Sequence, residues 1–460
     1  MNLSKDFSAL RDQYSSFFYD GFHIEQNGNT LKITYGFRIA DLAEFHPVWT
    51  FPVATTFKNT DLQTIHACAF HLGMVELVSY WKITCSPNVY INAGALTEDQ
   101  IRWWKKLYFY GLGEFFYINN VSTDIESFMA IHVRSDIDQS IKQRPENTQL
   151  SGNLIPVGGG KDSIVTLDLL RRFKETNSCF IVNKTSARIE SAKTAGYADG
   201  QIAIAQRTLD PNMIALNKQG FLNGHTPLSA IIAFSGVMAA YLFQREYVIL
   251  SNEASANDPT VFDAEVNHQY SKSFQFELDF NAYLENYMNM GIKYFSLLRP
   301  FCELQIAEYF SGLTPFLTVF NSCNLGTKID DWCRNCSKCL FIYILLSPFF
   351  SQNQLQAIFG ANFANQAKFL DDFEKLTGIQ KNKPFECVGS RDEVNAALIL
   401  AIRRIRESGE EMPRLYRQYL GTSQFAAYST QPFEYKKHFD HNHLIPAQYL
   451  AALNDSKLGK

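Results

Sequence analysis

Two stretches of this chain combine residue types and spacings that can do chemistry. The first is Pro156-Val157-Gly158-Gly159-Gly160-Lys161-Asp162-Ser163. Glycines let backbone N–H groups approach an anion closely. An apolar segment at 153–157 precedes the turn, and Ile164-Val165-Thr166-Leu167-Asp168-Leu169-Leu170 follows it. The pattern predicts a strand, a glycine turn and a helix start. That start adds N–H donors and the positive end of the helix dipole, so the geometry suits phosphate. The run matches neither GxxxxGK[ST] nor GxGxxG. A flexible glycine turn with no ligand is the bland alternative.

The second stretch is Cys323-x9-Cys333-x2-Cys336-x2-Cys339. Four thiolates within so short a segment suit a closed tetrahedral Zn2+ site. An iron–sulfur cluster is the alternative, since C-x2-C-x2-C also serves one. Zinc is favoured because the four ligands close a tetrahedron by themselves. Cys68, Cys85, Cys179, Cys302 and Cys387 are scattered and read as buried small hydrophobes.

Three polar segments lie between the two. Gly220-Phe221-Leu222-Asn223-Gly224-His225-Thr226-Pro227 precedes a helix, with Thr226 expected as N-cap and Pro227 as the first helical residue. Ser251-Asn252-Glu253-Ala254-Ser255-Ala256-Asn257 follows a strand, where substrate or Mg2+ contacts or a hydrogen-bonded turn would sit. Asn267-His268-Gln269-Tyr270-Ser271-Lys272-Ser273 offers proton-transfer groups and phosphate contacts, although a solvated loop can look the same. The run 436–443 is His-rich and reads as an exposed tail segment.

The elements that position these residues alternate. Strands are expected at 179–182, 201–205 and 246–250, with helices between them, notably 228–244. Such alternation implies a parallel sheet covered on both faces, with ligands at the carboxyl ends of its strands. That rule points at Asn183-Lys184-Thr185, Arg207 and Ser251-Asn252-Glu253. Residues 1–140 read as an aromatic-rich α+β unit. Asn27-Gly28 sits between two strand patterns as a hairpin, and Thr97-Glu98-Asp99-Gln100 is a capping box. A polar linker at 135–152 leads to an α/β unit at 150–345 carrying the cysteine segment, and 346–460 is mostly helical. The helix at 396–406 ends in Arg403, Arg404 and Arg406, read as a solvated basic end.

Composition bounds the reading. The 460 residues are 46% hydrophobic, with net charge -4 and pI about 6.2. No global basic field recruits nucleic acid. The opening residues lack an apolar signal core, and no uncharged apolar run reaches membrane-spanning length. A soluble, cytoplasmic protein is expected, in which nine cysteines argue for metal or catalysis rather than disulfides.

The glycine run resembles the Ser-Gly-Gly-x-Asp-Ser loop of the PP-loop ATP pyrophosphatases, with Gly158 standing where that loop begins with Ser. The pairing of this loop with a later four-cysteine zinc segment resembles the 7-cyano-7-deazaguanine synthases. Taken together, VGGGKDS at 157–163, GFLNGHTP at 220–227, SNEASAN at 251–257, NHQYSKS at 267–273 and WCRNCSKC at 332–339 are similar in order and spacing to the MurL family. These are UDP-N-acetyl-α-D-muramoyl-L-alanyl-L-glutamate epimerases. Ser79-Tyr80-Trp81-Lys82 and Gly113-Glu114-Phe115-Phe116-Tyr117 add to the likeness.

The resemblance implies inversion of the terminal L-Glu of a UDP-MurNAc dipeptide, with ATP and Mg2+ consumed and AMP and pyrophosphate released. Peptidoglycan ligases would act before and after it. On this reading Gly158, Gly159, Gly160 and Ser163 bind pyrophosphate, and Lys161 neutralises phosphate charge. Asp162 and Glu253 hold Mg2+, and Asn183 lies at the nucleotide. His268 or Lys272 is the α-proton base, with His225 in reserve. The competing readings are another PP-loop enzyme, such as a deazaguanine-nitrile ligase or a tRNA thiolase, and a zinc-stabilised nucleotide-binding module.

Overall fold

The computed structural model describes residues 6–55, 62–141, 149–257, 270–323, 325–326, 329–384, 386 and 388–459. Among the described residues its frame is one mixed sheet of eleven strands: β1 Ser16–Asn27, β2 Thr30–Ile39, β3 Ala43–Phe45, β4 Val48–Pro52, β5 Asn88–Ile91, β6 Ala130–Val133, β7 Asn153–Pro156, β8 Asn177–Val182, β9 Ile202–Thr208, β10 Tyr247–Leu250 and β11 Lys293–Ser296. The spatial order is β11-β10-β7-β8-β9-β4-β2-β1-β5-β6, with β3 on β2.

The five strands from β11 to β9 are mutually parallel. The expected strands and the helix Leu228–Leu242 are present, with ends moved by a few residues. Strand β7 opens this half, and the chain then builds outward on both sides of it. The order therefore reverses between β7 and β10, and that reversal leaves a crevice at the carboxyl ends of the strands. Alternation along each strand splits the core into two. Leu154, Phe180 and Val248 face one apolar cluster, whereas Ile155, Ile181 and Ile249 face the other.

Strand β4 pairs antiparallel with β9, Trp49 opposite Arg207, so the sheet runs without a break into the N-terminal half. There β1 and β2 form the expected hairpin around Gly28, whose φ of 57° suits the turn. Strand β2 alternates, with Leu31, Ile33, Tyr35, Phe37 and Ile39 buried, as one packed face requires. The helix Leu62–Trp81 is apolar around nearly its whole circumference and buries itself between this face and Leu228–Leu242. The aromatics Trp49, Trp81 and Trp104 are fully buried in that core. On the opposite face Phe18 stacks on Tyr90 at 5.0 Å and Tyr90 on His132 at 4.9 Å, with Arg134 over the Tyr90 ring.

After β11 the described residues contain helices and no strand. Ser337–Leu346 is buried throughout and packs with Arg391–Ser408 in the second cluster. At the basic helix end Arg403 and Arg406 are exposed, as expected, whereas Arg404 pairs bidentately with Glu410 at 3.0 and 3.1 Å. The His-rich run is largely exposed, as expected, and is tied to the body of the protein through its backbone. Asp440 N–H donates to the Pro300 carbonyl at 2.8 Å, and Gln305 donates to the His438 carbonyl at 3.0 Å. Among the described residues, no helix is long and apolar enough to cross a membrane.

Candidate active site

A cavity of about 500 Å³ occupies the crevice, lined by residues from all five parallel strands' neighbourhood except β11 and by the segment entering the cysteine cluster. Its floor is the glycine turn. Gly159 has φ +79°, and a Cβ there would lie 3.0 Å from the backbone of Ala187 and Arg188. A Cβ on Gly160 would lie 2.8 Å from Ser322 Oγ. These two positions demand glycine for space, the first also for conformation. The helix Lys161–Leu169 then starts on Gly160, which brings no side chain to cap it. The Ser163 hydroxyl instead donates to the Gly160 carbonyl at 2.9 Å. The helix start, through Gly160, Asp162 and Ser163, thus borders the cavity, where an anion site would need it.

Gly158, Gly160, Asp162, Ser163, Asn183, Arg207, Ser251, Asn252, Glu253 and Lys272 all line this cavity. Asn183 adopts φ 56° and clips the ends of β8 and β9 together, accepting from Arg207 N–H at 2.7 Å and donating to its carbonyl at 3.1 Å. Thr185, by contrast, caps the helix Ser186–Thr194. Burial, reinforced by the Asp162 charge, holds the Glu253 carboxyl above the usual range. Two carboxylates that repel each other at a cavity edge are suited to sharing a cation.

Lys161 is fully buried, and its ammonium lies between Asp162 and Glu303. Burial alone would lower its pKa, but those two carboxylates raise it. Glu303, also buried, is pushed up to about 7 by desolvation, against the pull of Lys161. Lys161 therefore neutralises charge beneath the loop and is not part of the cavity lining.

His225 lies outside the cavity lining, its Nδ1 3.5 Å from Glu114. The expected cap at Thr226 is corrected: Pro227 is the N-cap and Leu228 the first helical residue. The Thr226 hydroxyl accepts instead from Lys82 Nζ at 2.7 Å, and the Gly224 carbonyl is that ammonium's other partner. His268 falls outside the described residues, as do Asn267 and Gln269.

Four positioning residues were assigned no role from the sequence. Arg299, buried and paired with Glu277 at 2.6 Å, donates to the backbone carbonyls of Glu253, at 2.8 Å, and Lys272. It ties two cavity walls that are far apart in the chain. Glu303 and Lys82 are the second and third. The fourth is Ser322, recognisable beforehand only as the neighbour of Cys323.

The four sulfurs of Cys323, Cys333, Cys336 and Cys339 lie within 4.8 Å of one another. Three of their separations are 3.8, 3.7 and 3.6 Å. A tetrahedron with metal–sulfur bonds of about 2.3 Å has edges of about 3.8 Å, so the hole suits one ion. Asn321 N–H donates to the Gly159 carbonyl at 2.8 Å, joining this segment to the glycine turn.

The MurL N-terminal domain matches residues 8–297 and the MurL C-terminal domain residues 319–426. A protein of Xanthomonas oryzae pv. oryzae is 32% identical over 341 residues, 72% of this chain and 74% of its own. One of Salinispora tropica is 34% identical over 366 residues, 77% of this chain and 78% of its own. Both are named UDP-N-acetyl-alpha-D-muramoyl-L-alanyl-L-glutamate epimerase. No solved structure matches the chain. With both domains matched in order and a third of the aligned residues shared, the chain belongs to the MurL family.

Proposed function

We propose that this protein inverts the terminal L-Glu of UDP-MurNAc-L-Ala-L-Glu to D-Glu, driven by adenylation of the carboxylate next to the α-carbon. The observation that carries the reading is a MurL chain whose glycine turn and helix start open a cavity at the strand reversal. When bound, ATP supplies the adenylyl group that removes the carboxylate's charge, which otherwise forbids loss of the α-proton.

The chain's own residues divide the work. Gly158, Gly160 and Ser163 line the cavity, and together with Gly159 they cradle the departing pyrophosphate through backbone N–H groups. Asp162 and Glu253 would hold Mg2+. Asn183 and Arg207 close the β8–β9 side of the cavity. Lys272 takes the α-proton, because it lines the cavity beside Glu253 and its backbone is held by Arg299. Reprotonation from the opposite face inverts the centre, and hydrolysis of the activated carboxylate makes the reaction run forward. The sulfur spacing favours Zn2+ over an iron–sulfur cluster, so Cys323, Cys333, Cys336 and Cys339 would hold a structural zinc.

The test is incubation with ATP, Mg2+ and UDP-MurNAc-L-Ala-L-Glu, with chiral analysis of the glutamate and assay of AMP and pyrophosphate. D-Glu and AMP should appear together. AMP without D-Glu would move the reading to another adenylating enzyme. In heavy water, Lys272→Ala should lose deuterium incorporation at the α-carbon, and retention would sink its role as base.

A further inference from the structure

Gly158 leaves a gap in the phosphate cradle. Its backbone lies outside the left-handed region, and a Cβ there would meet nothing within 4 Å. The conformation and the space would accept a side chain, yet none is present. A hydroxyl reaches the same loop from elsewhere. Ser322 Oγ accepts from Lys161 N–H at 3.2 Å, at the first residue of the helix. It packs on the bare face of Gly160, where a Cβ would come within 2.8 Å of it. Ser322 lines the cavity together with Gly158, Gly160, Asp162 and Ser163. The neighbouring Asn321 N–H fixes the segment to the Gly159 carbonyl at 2.8 Å.

We propose that Ser322, from the segment entering the cysteine cluster, supplies the phosphate-contacting hydroxyl that Gly158 lacks. Its oxygen is occupied as an acceptor by Lys161 N–H, which leaves its own hydrogen to donate to an anion. Glycine at 160 is then required so that this hydroxyl can approach. This inference rests on the nucleotide reading of the cavity and adds a residue to it.

The experiment is calorimetric titration of the full chain with inorganic pyrophosphate in the presence of Mg2+. Wild type, Ser322→Ala, Gly158→Ser and the double variant are compared, with bound metal per chain measured for each. A hydrogen bond to a charged group implies that Ser322→Ala weakens pyrophosphate binding about tenfold or more. Metal content should be unchanged. Gly158→Ser in the Ser322→Ala background should recover most of the loss, because a hydroxyl at 158 reaches the same anion but cannot replace the contact to Lys161 N–H. Wild-type affinity in Ser322→Ala would overturn the role of Ser322 alone. A loss that persists in the double variant would also overturn it, because the hydroxyl would then serve only the loop. A wild-type chain that does not bind pyrophosphate would overturn the nucleotide reading and this inference with it.

Discussion

Lys82 shows how a single side chain can record its surroundings. Burial, aided by the nearby Arg207 charge, lowers its pKa to about 8. An unfolded lysine keeps its proton to about pH 10.5. Between these values the unfolded chain binds more protons, so this group makes stability rise with pH, and its charged form costs stability below pH 8. Measured against Lys82→Met by thermal melts, wild type should gain relative stability from pH 8 to pH 10 and show a constant difference from pH 6 to pH 7. A flat difference across the whole range would mean the amine is solvated. Gly159 is a second residue-scale case. Gly159→Ala forces a Cβ to 3.0 Å from backbone at φ +79°, which should cost about 1–2 kcal/mol from conformation alone and more from the clash. Its melting temperature and its pyrophosphate affinity should both fall.

Among the elements, the coupling of the cysteine segment to the glycine turn matters most. Only Ser322 separates Cys323 from Asn321, which binds the Gly159 carbonyl. On the zinc assignment, dialysis against a chelator should lower the melting temperature by about 5–10 °C. The same treatment should weaken pyrophosphate binding, because the segment no longer holds the turn. Melting that falls while affinity is untouched would show that the two elements are independent. The helix Leu228–Leu242 illustrates what an element can hide. Its capping sequence, Thr-Pro, reads as a standard start, but the structure diverts Thr226 to Lys82 and begins one residue later. A lysine from the helix-end motif at 79–82 claimed the hydroxyl, and no local rule anticipates a partner so far away in the chain.

For the whole molecule, one sheet carries both halves. Removing residues before β7 would expose the edge of β9, strip Glu76 from Arg207, and uncover the face of Leu228–Leu242 that packs on Leu62–Trp81. Arg207 and Glu76 are 2.6 Å apart, with Glu76 fully buried and Arg207 mostly so, and an orphaned partner of such a pair is costly. A fragment of residues 149–459 should therefore be insoluble or lack a cooperative melt, whereas the full chain melts cooperatively. A well-folded fragment would show that the β4–β9 pairing is dispensable.

Local chemistry made a definite part of this legible. Apolar runs located four of the five strands of the parallel half, β7 to β10 but not β11, Asn-Gly located the hairpin turn, and Thr97 with Gln100 formed the expected box. The glycine turn and the four cysteines were also readable, because each is a contiguous constraint on backbone freedom or ligand spacing. What tertiary structure alone decided is which distant residues meet. It joined the halves through β4 and β9, turned Lys161 down onto Glu303, hung Glu253 and Lys272 from Arg299, and laid Ser322 against Gly160. The physical reason is that propensity, turn chemistry and metal spacing act over a few residues. Buried charge, by contrast, is satisfied by whatever partner the packed sheet and helices bring near, at any distance along the chain.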